Sequence, residues 1–226
     1  KTYMVREGVF EGVDVALTWH PGYENEIMSY RTLANYQVYF KFEGISSHAA
    51  GSPHLGRSAL DAVELMNAGV NYLREHVIQD ARMHYAYTNA GGISPNVVQA
   101  NAEVLYLIRA PQVKQVDDIF KRIVKIAEGA ALMTETKMTM TFDKACSNYM
   151  PNRALGKIMH DKLVEVGPSQ YTNEDKQFAK EIWNTLNEEQ KASAIDKFAG
   201  VAEVGDESGR YLADFIFDLP ETEGLH

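Results

Sequence analysis

Asn35-Tyr-Gln-Val-Tyr-Phe-Lys-Phe-Glu43 alternates cleanly, with Tyr36, Val38, Phe40 and Phe42 on one side and Gln37, Lys41 and Glu43 on the other. A period of two predicts a strand with one buried face. Downstream, Ser58 and Asp61 have the spacing of a capping box at a helix start, although Asp reaches back less well than Glu. Leu60, Val63, Met66, Val70, Leu73 and Val77 then recur at helical spacing, which predicts an amphipathic helix to about His76. Gly69 inside it costs roughly 1 kcal/mol against Ala, a cost that close packing on the sheet would offset. Met83 to Thr88 and Ala102 to Arg109 read as two further strands, joined by the loop Asn89-Ala-Gly-Gly-Ile-Ser-Pro-Asn96. Pro111 is placed to open a second helix, with Val113, Val116, Ile119/Phe120, Ile123 and Ile126/Ala127 as its apolar stripe. Thr136 to Phe142 alternates again. The order strand, helix, strand, strand, helix, strand is the split βαβ pattern. It predicts an α/β (α+β) fold class: a ferredoxin-like unit with two helices on one face of a four-stranded antiparallel sheet.

The flanks have a different texture. Val13 to Trp19 is a short apolar run ending in His20-Pro21-Gly22, which reads as a buried strand stopping at a turn. His20 then sits where open α/β sheets place ligands, or is a plain turn histidine. Helices are expected over Asn152 to Val166, Asn173 to Leu186 and Glu188 to Phe198. Val201 to Gly209 reads as an acidic surface loop and Leu212 to Leu219 as a strand. Neither end has a core to match the central unit. The expected layout is therefore one domain interrupted by another: 1–32 and 146–226 flank a central domain at 33–145.

Composition narrows the function. The net charge of −9, with no basic stripe, excludes nucleic acid or an anionic membrane as the main partner. One cysteine, Cys146, leaves no internal disulfide and fits a reducing cytoplasm. No apolar run is long enough to span a bilayer, and Lys1-Thr2-Tyr3-Met4 does not begin a signal peptide. Without an initiator Met, the chain reads as a fragment or processed piece. The densest chemistry lies between strand and helix, in Gly44-Ile-Ser-Ser-His48-Ala-Ala-Gly-Ser-Pro-His54-Leu-Gly-Arg57-Ser-Ala-Leu-Asp61. A loop held by rigid elements and rich in donors suits an anion, though its glycines and proline are also ordinary turn residues.

Several of these stretches together resemble the metal-dependent aminoacylase and carboxypeptidase family. They are Asp14-Val-Ala-Leu-Thr-Trp-His20-Pro, the His48-Ala49-Ala50 loop with Pro53-His54, and Gly91-Gly-Ile-Ser-Pro-Asn-Val-Val98 followed by Arg109. The resemblance implies a hydrolase that cleaves an amide next to a free carboxylate. It implies two divalent metal ions, zinc or manganese, in a catalytic domain, and an inserted ferredoxin-like lid that also forms a homodimer. By residue-level match, His20 is implied as a metal ligand and His48 as the group holding the developing oxyanion. Asn96 and Arg109 are implied to bind the carboxylate of a small-molecule substrate. The three lid groups are expected to converge on one pocket. His54 and His84 are read as structural, and Gly91 and Gly92 as serving backbone conformation only.

The family pattern also needs a Cys/His-Asp metal motif and a Glu-Glu pair upstream, and a later histidine whose context His226 lacks. One ligand cannot hold two metals, so the chain by itself is expected to be inactive. Two readings from other classes stay open: a dimerisation and substrate-gating module, or a small-molecule regulatory domain. The need for a second subunit also stays open.

Overall fold

The computed structural model describes residues 2–22, 24–197 and 212–219. These fall into two compact units, within Lys1–Glu11 and Arg31–Met150 for the first and within Gly12–Tyr30 and Pro151–Gly224 for the second.

In the first unit, β1 (Ala34–Glu43), α2 (Ala59–Leu73), β2 (Arg82–Asn89), β3 (Asn101–Ala110), α3 (Val113–Thr134) and β4 (Lys137–Cys146) follow a short α1 (Thr2–Arg6). The sheet order is β2-β3-β1-β4, antiparallel throughout. This is the ferredoxin-like arrangement that the alternation around Phe40 predicts. Period two puts Val38, Phe40 and Phe42 of β1 and Ala102, Val104, Tyr106 and Ile108 of β3 on the face covered by the helices, where all are fully buried. Helical spacing brings Val63, Met66 and Val70 of α2, and Val116 and Ile123 of α3, against them. Burying each such side chain stabilises the unit by roughly 1.5–3 kcal/mol. The aromatic Tyr36, Phe120 and Phe142 finish the β4 side in edge-to-face contacts.

Helix boundaries follow local chemistry. The Ser58 hydroxyl accepts from Asp61 N at 3.0 Å, capping α2. Pro111 lies outside α3 rather than at its first turn: Gln112 is the cap, and Gln115 Oε1 accepts from its N–H at 3.0 Å. Gly69 faces the other helix, not the sheet. A Cβ there would stand 2.6 Å from Ile126 Cγ2, so the missing side chain is what lets α2 and α3 close up. One polar residue is buried on this face. Asn67 Oδ1 accepts from the Tyr106 hydroxyl at 2.6 Å, and its amide donates to Tyr87 Oη at 3.2 Å. Both ends of the amide are thereby satisfied. Burial pushes the Tyr106 phenol far above the ordinary tyrosine range.

The second unit holds α4 (Arg153–Val166), α5 (Asn173–Asn184) and α6 (Glu188–Lys197), close to expectation. Asn152 and Thr172 cap the first two. Two expected strands are absent. Val13 to Trp19 is irregular and exposed, Trp19 to 83%, and 212–219 is irregular as well. A strand exists only as part of a backbone ladder, and among the described residues neither segment joins the four-stranded sheet. Asn25 instead ties 212–219 down, donating from Nδ2 to the carbonyls of Ala213 and Phe215 and accepting at its own carbonyl from Phe217 N. The expected loop Val201 to Gly209, Phe198 and His226 lie outside the described residues.

Candidate functional site

The loop after β1 and the loop before β3 are built as one piece. His48 and Val97 form an isolated antiparallel bridge; Ala49 N donates to the Asn96 carbonyl and Val98 N to the Ser47 carbonyl, each at 2.9 Å. His48 and Asn96 therefore meet at one end of the sheet, both exposed. Gly91 and Gly92 make this possible. Both take a positive φ, 87° and 110°, so the chain can reverse after β2 where other residues would be strained.

The ring of His48 is held in one tautomer. Its Nδ1 accepts from the backbone N–H of Gly51 at 2.9 Å and of Ala50 at 3.2 Å. A nitrogen that accepts carries no proton, so the proton of the neutral ring sits on Nε2. The outward edge of His48 is thus an N–H donor. Behind it, the loop is closed by the Ser47 hydroxyl on the Ser52 carbonyl and by Ser52 N on the His48 carbonyl. Arg57 fixes the end of the loop, donating from Nε to Glu135 Oε2 at 2.8 Å and from Nη1 to the carbonyls of His54 and Gly56.

Arg109 is elsewhere. It lies one residue from the far end of β3, opposite Asn35, which in turn pairs with Cys146. From Asn101 to Arg109 the strand rises eight steps, roughly 27 Å. One copy of this unit therefore carries His48 and Asn96 at its loop end and Arg109 at the end where β1 starts and β4 stops. The three groups therefore do not converge within one copy, because β3 runs the length of the sheet between them. The Arg109 side chain is exposed on the face opposite the helices and makes no side-chain hydrogen bond or ion pair among the described residues.

His20 belongs to the other unit and is exposed at the end of an irregular segment, not of a strand. Its Nδ1 lies 2.9 Å from the Pro21 carbonyl. A carbonyl only accepts, so Nδ1 carries the proton and Nε2 presents its lone pair, the form in which imidazole ligates metal. The described residues contain no group of three His, Cys, Asp or Glu able to hold an ion. His20 thus fits as one ligand, and the described residues do not complete a centre. His84 is exposed on β2; His54 stands in a single 3₁₀ turn.

Sequence reading missed two parts of this site. The amides of Ala50 and Gly51 carry no side-chain signal, although a His two and three residues before small residues is the pattern that permits such a turn. Arg82 stands directly opposite Arg109 across β2 and β3. It was readable only once the strand register was known.

Comparison with known proteins agrees with the fold. Residues 31–134 match the model of the peptidase dimerisation domain. The chain is 55% identical over 213 residues to the B subunit of p-aminobenzoyl-glutamate hydrolase from Escherichia coli (strain K12), covering 94% of itself and 44% of that protein. It is 32% identical over 158 residues to the Xaa-Arg dipeptidase of Mus musculus, covering 69% of itself and 36% of that protein. The crystal structure of an aminobenzoyl-glutamate utilization protein from Klebsiella pneumoniae superimposes with a TM-score of 0.58 at 22% identity, over 71% of this chain and 42% of that one. The chain spans less than half the length of the curated relatives it matches. Residues 31–134 are thus a peptidase dimerisation domain, within a chain that resembles the B subunit of p-aminobenzoyl-glutamate hydrolase over nearly all of its own length.

Proposed function

We propose that this chain supplies the lid and an adjoining part of a metal-dependent amidohydrolase, one that cleaves an amide next to a free carboxylate in substrates of the p-aminobenzoyl-glutamate kind. The observation that carries the proposal is the fixed tautomer of His48: a donor held ready by two backbone amides. Such a donor suits the oxyanion that forms as a carbonyl is attacked, and removing one typically costs about 10²–10³ in kcat. Asn96, beside it, offers an amide to a carboxylate, and Arg109 offers two parallel N–H groups.

The separation of Arg109 from His48 is read as a division of labour between two copies. If two lids associate as a homodimer, His48 and Asn96 of one chain reach the neighbourhood of Arg109 of the other. The exposed sheet edges at β2 and β4 supply a surface for such pairing. Similarity to one subunit of a hydrolase keeps a second, different subunit in view. His20, with its Nε2 lone pair outward, is assigned to a divalent metal, zinc or manganese. When bound, such ions would acidify a water for attack on the amide. His20 alone cannot hold a pair of ions, so the 226-residue chain is proposed to be inactive by itself. The sole cysteine supports a cytoplasmic setting.

Two experiments test the reading. In the full-length hydrolase, His48→Gln should lower kcat by about 10²–10³ with little change in KM; an unchanged kcat removes the oxyanion role. The purified chain should sediment as a dimer and show no hydrolysis of p-aminobenzoyl-glutamate above a metal-stripped control.

A further inference from the structure

The end of the sheet that carries Arg109 is unusually cationic for a chain of net charge −9. Strand register sets Arg82 directly opposite Arg109, and directly opposed residues share a face. In the next row on that face stand His84 of β2, Leu107, Gln37 and Lys144 of β4. Arg82, Arg109, His84 and Lys144 are all exposed, and none forms an ion pair with a carboxylate among the described residues. The nearest acids in sequence are Asp80, just before β2, and Asp143, the extra residue where β4 slips against β1; neither pairs with them. At the other end of the same face the charges are neutralised instead, Lys41 holding Glu43 at 2.7 Å. Like charges placed directly opposite on a sheet are unfavourable. Arg82 is nevertheless anchored, its Nη1 donating to the carbonyls of Gln79 and Ala81 at 2.6 and 2.8 Å. Only part of its donor fork is used there, and the rest is unspent.

We propose that Arg82 forms a second carboxylate subsite beside Arg109 and is the residue that selects a side-chain carboxylate in an acyl-glutamate type of substrate. The inference rests on the reading of Arg109 as the site for the first carboxylate. Arg109 would take the carboxylate next to the scissile amide, and Arg82 the one on the side chain. Lys144 would add positive potential without direct contact. An isolated Arg109 would accept any acyl amino acid; the pair selects dianions.

The test uses the 226-residue chain and two probes of nearly equal shape, N-benzoylglutamate and N-benzoylglutamine, titrated by calorimetry at fixed ionic strength. The native chain should bind the dicarboxylate about tenfold more tightly, the discrimination expected of one charge-assisted contact. Arg82→Gln should abolish that preference while leaving N-benzoylglutamine affinity unchanged, and Arg82→Lys should retain part of it. Arg109→Gln should weaken both probes. Equal affinities in the native chain, or a preference that survives Arg82→Gln, would overturn the second subsite. If Arg109→Gln weakens both probes and Arg82→Gln leaves their ratio intact, the second subsite alone fails. If neither probe responds to Arg109→Gln, the carboxylate role of Arg109 fails and the subsite with it. Unfolding midpoints of the variants separate lost binding from lost folding.

Discussion

Arg57 and Glu135 meet across seventy-eight residues of sequence, Nε to Oε2 at 2.8 Å, and join the loop behind His48 to the end of α3. Glu135 reaches this position in a left-handed conformation, φ 53°, at the place where helices usually end in glycine. With the side chain 70% exposed, the ion pair is worth no more than about 1 kcal/mol, comparable to the cost of the backbone. Glu135→Ala and Glu135→Gly both delete the pair but differ in backbone tolerance. The Gly variant should be the more stable by about 1 kcal/mol in urea denaturation. Equal stability would show that residue 135 does not hold the left-handed form in solution.

Gly69 should resist replacement even by the best helix former. A methyl group would meet Ile126 Cγ2, a branch that is stiff within a helix, so Gly69→Ala should destabilise by about 1–3 kcal/mol. Ile126→Ala removes the obstructing atom, and the double variant should cost less than the two single changes added. Simple additivity would mean that the two helices are not in contact at this point.

Tyr106→Phe leaves Asn67 Oδ1 buried without its donor, which should cost about 1–3 kcal/mol. The same phenol sets a pH dependence. Burial raises its folded pKa above the unfolded value near 10, so the native state keeps a proton that the unfolded chain loses. Its contribution is fully present below about pH 10 and declines as pH rises beyond that. In Tyr106→Phe the alkaline decline should be shallower; an unchanged slope between native and variant would exclude Tyr106 as its source.

The tautomer of His48 can be observed directly. Long-range ¹H–¹⁵N spectra at neutral pH should show the proton on Nε2 and an acceptor-type shift at Nδ1. A ring protonated at Nδ1, or a fast mixture of tautomers, would mean that the amides of Ala50 and Gly51 do not hold it.

The first unit was legible because its signals are local and repeated. Val38, Phe40 and Phe42 repeat every second residue, Val63, Met66 and Val70 follow the turn of a helix, and Ser58 marks a helix start by its cap chemistry. The apolar run from Val13 to Trp19 misled for the opposite reason. Hydrophobic residues are necessary for a buried strand, but pairing depends on distant partners that composition does not reveal. At the site, motif order singled out His48, Asn96 and Arg109 without their geometry. The nearness of His48 to Asn96, through the bridge of His48 with Val97, and the distance to Arg109 are properties of loop pairing, strand length and register, which appear only when β1 and β3 are aligned. Asn67 was the most readable omission, since it stands in the apolar stripe between Val63 and Val70, where an unpartnered amide would be costly.

Asn35 lies opposite Cys146, so the first residues of β1 and the last of β4 are neighbours about 5 Å apart. The chain that enters and leaves through this gap meets the whole unit as though it were a short hairpin. Loop-closure entropy then places little limit on how large such a unit becomes, since each doubling of its length adds only about 0.6 kcal/mol.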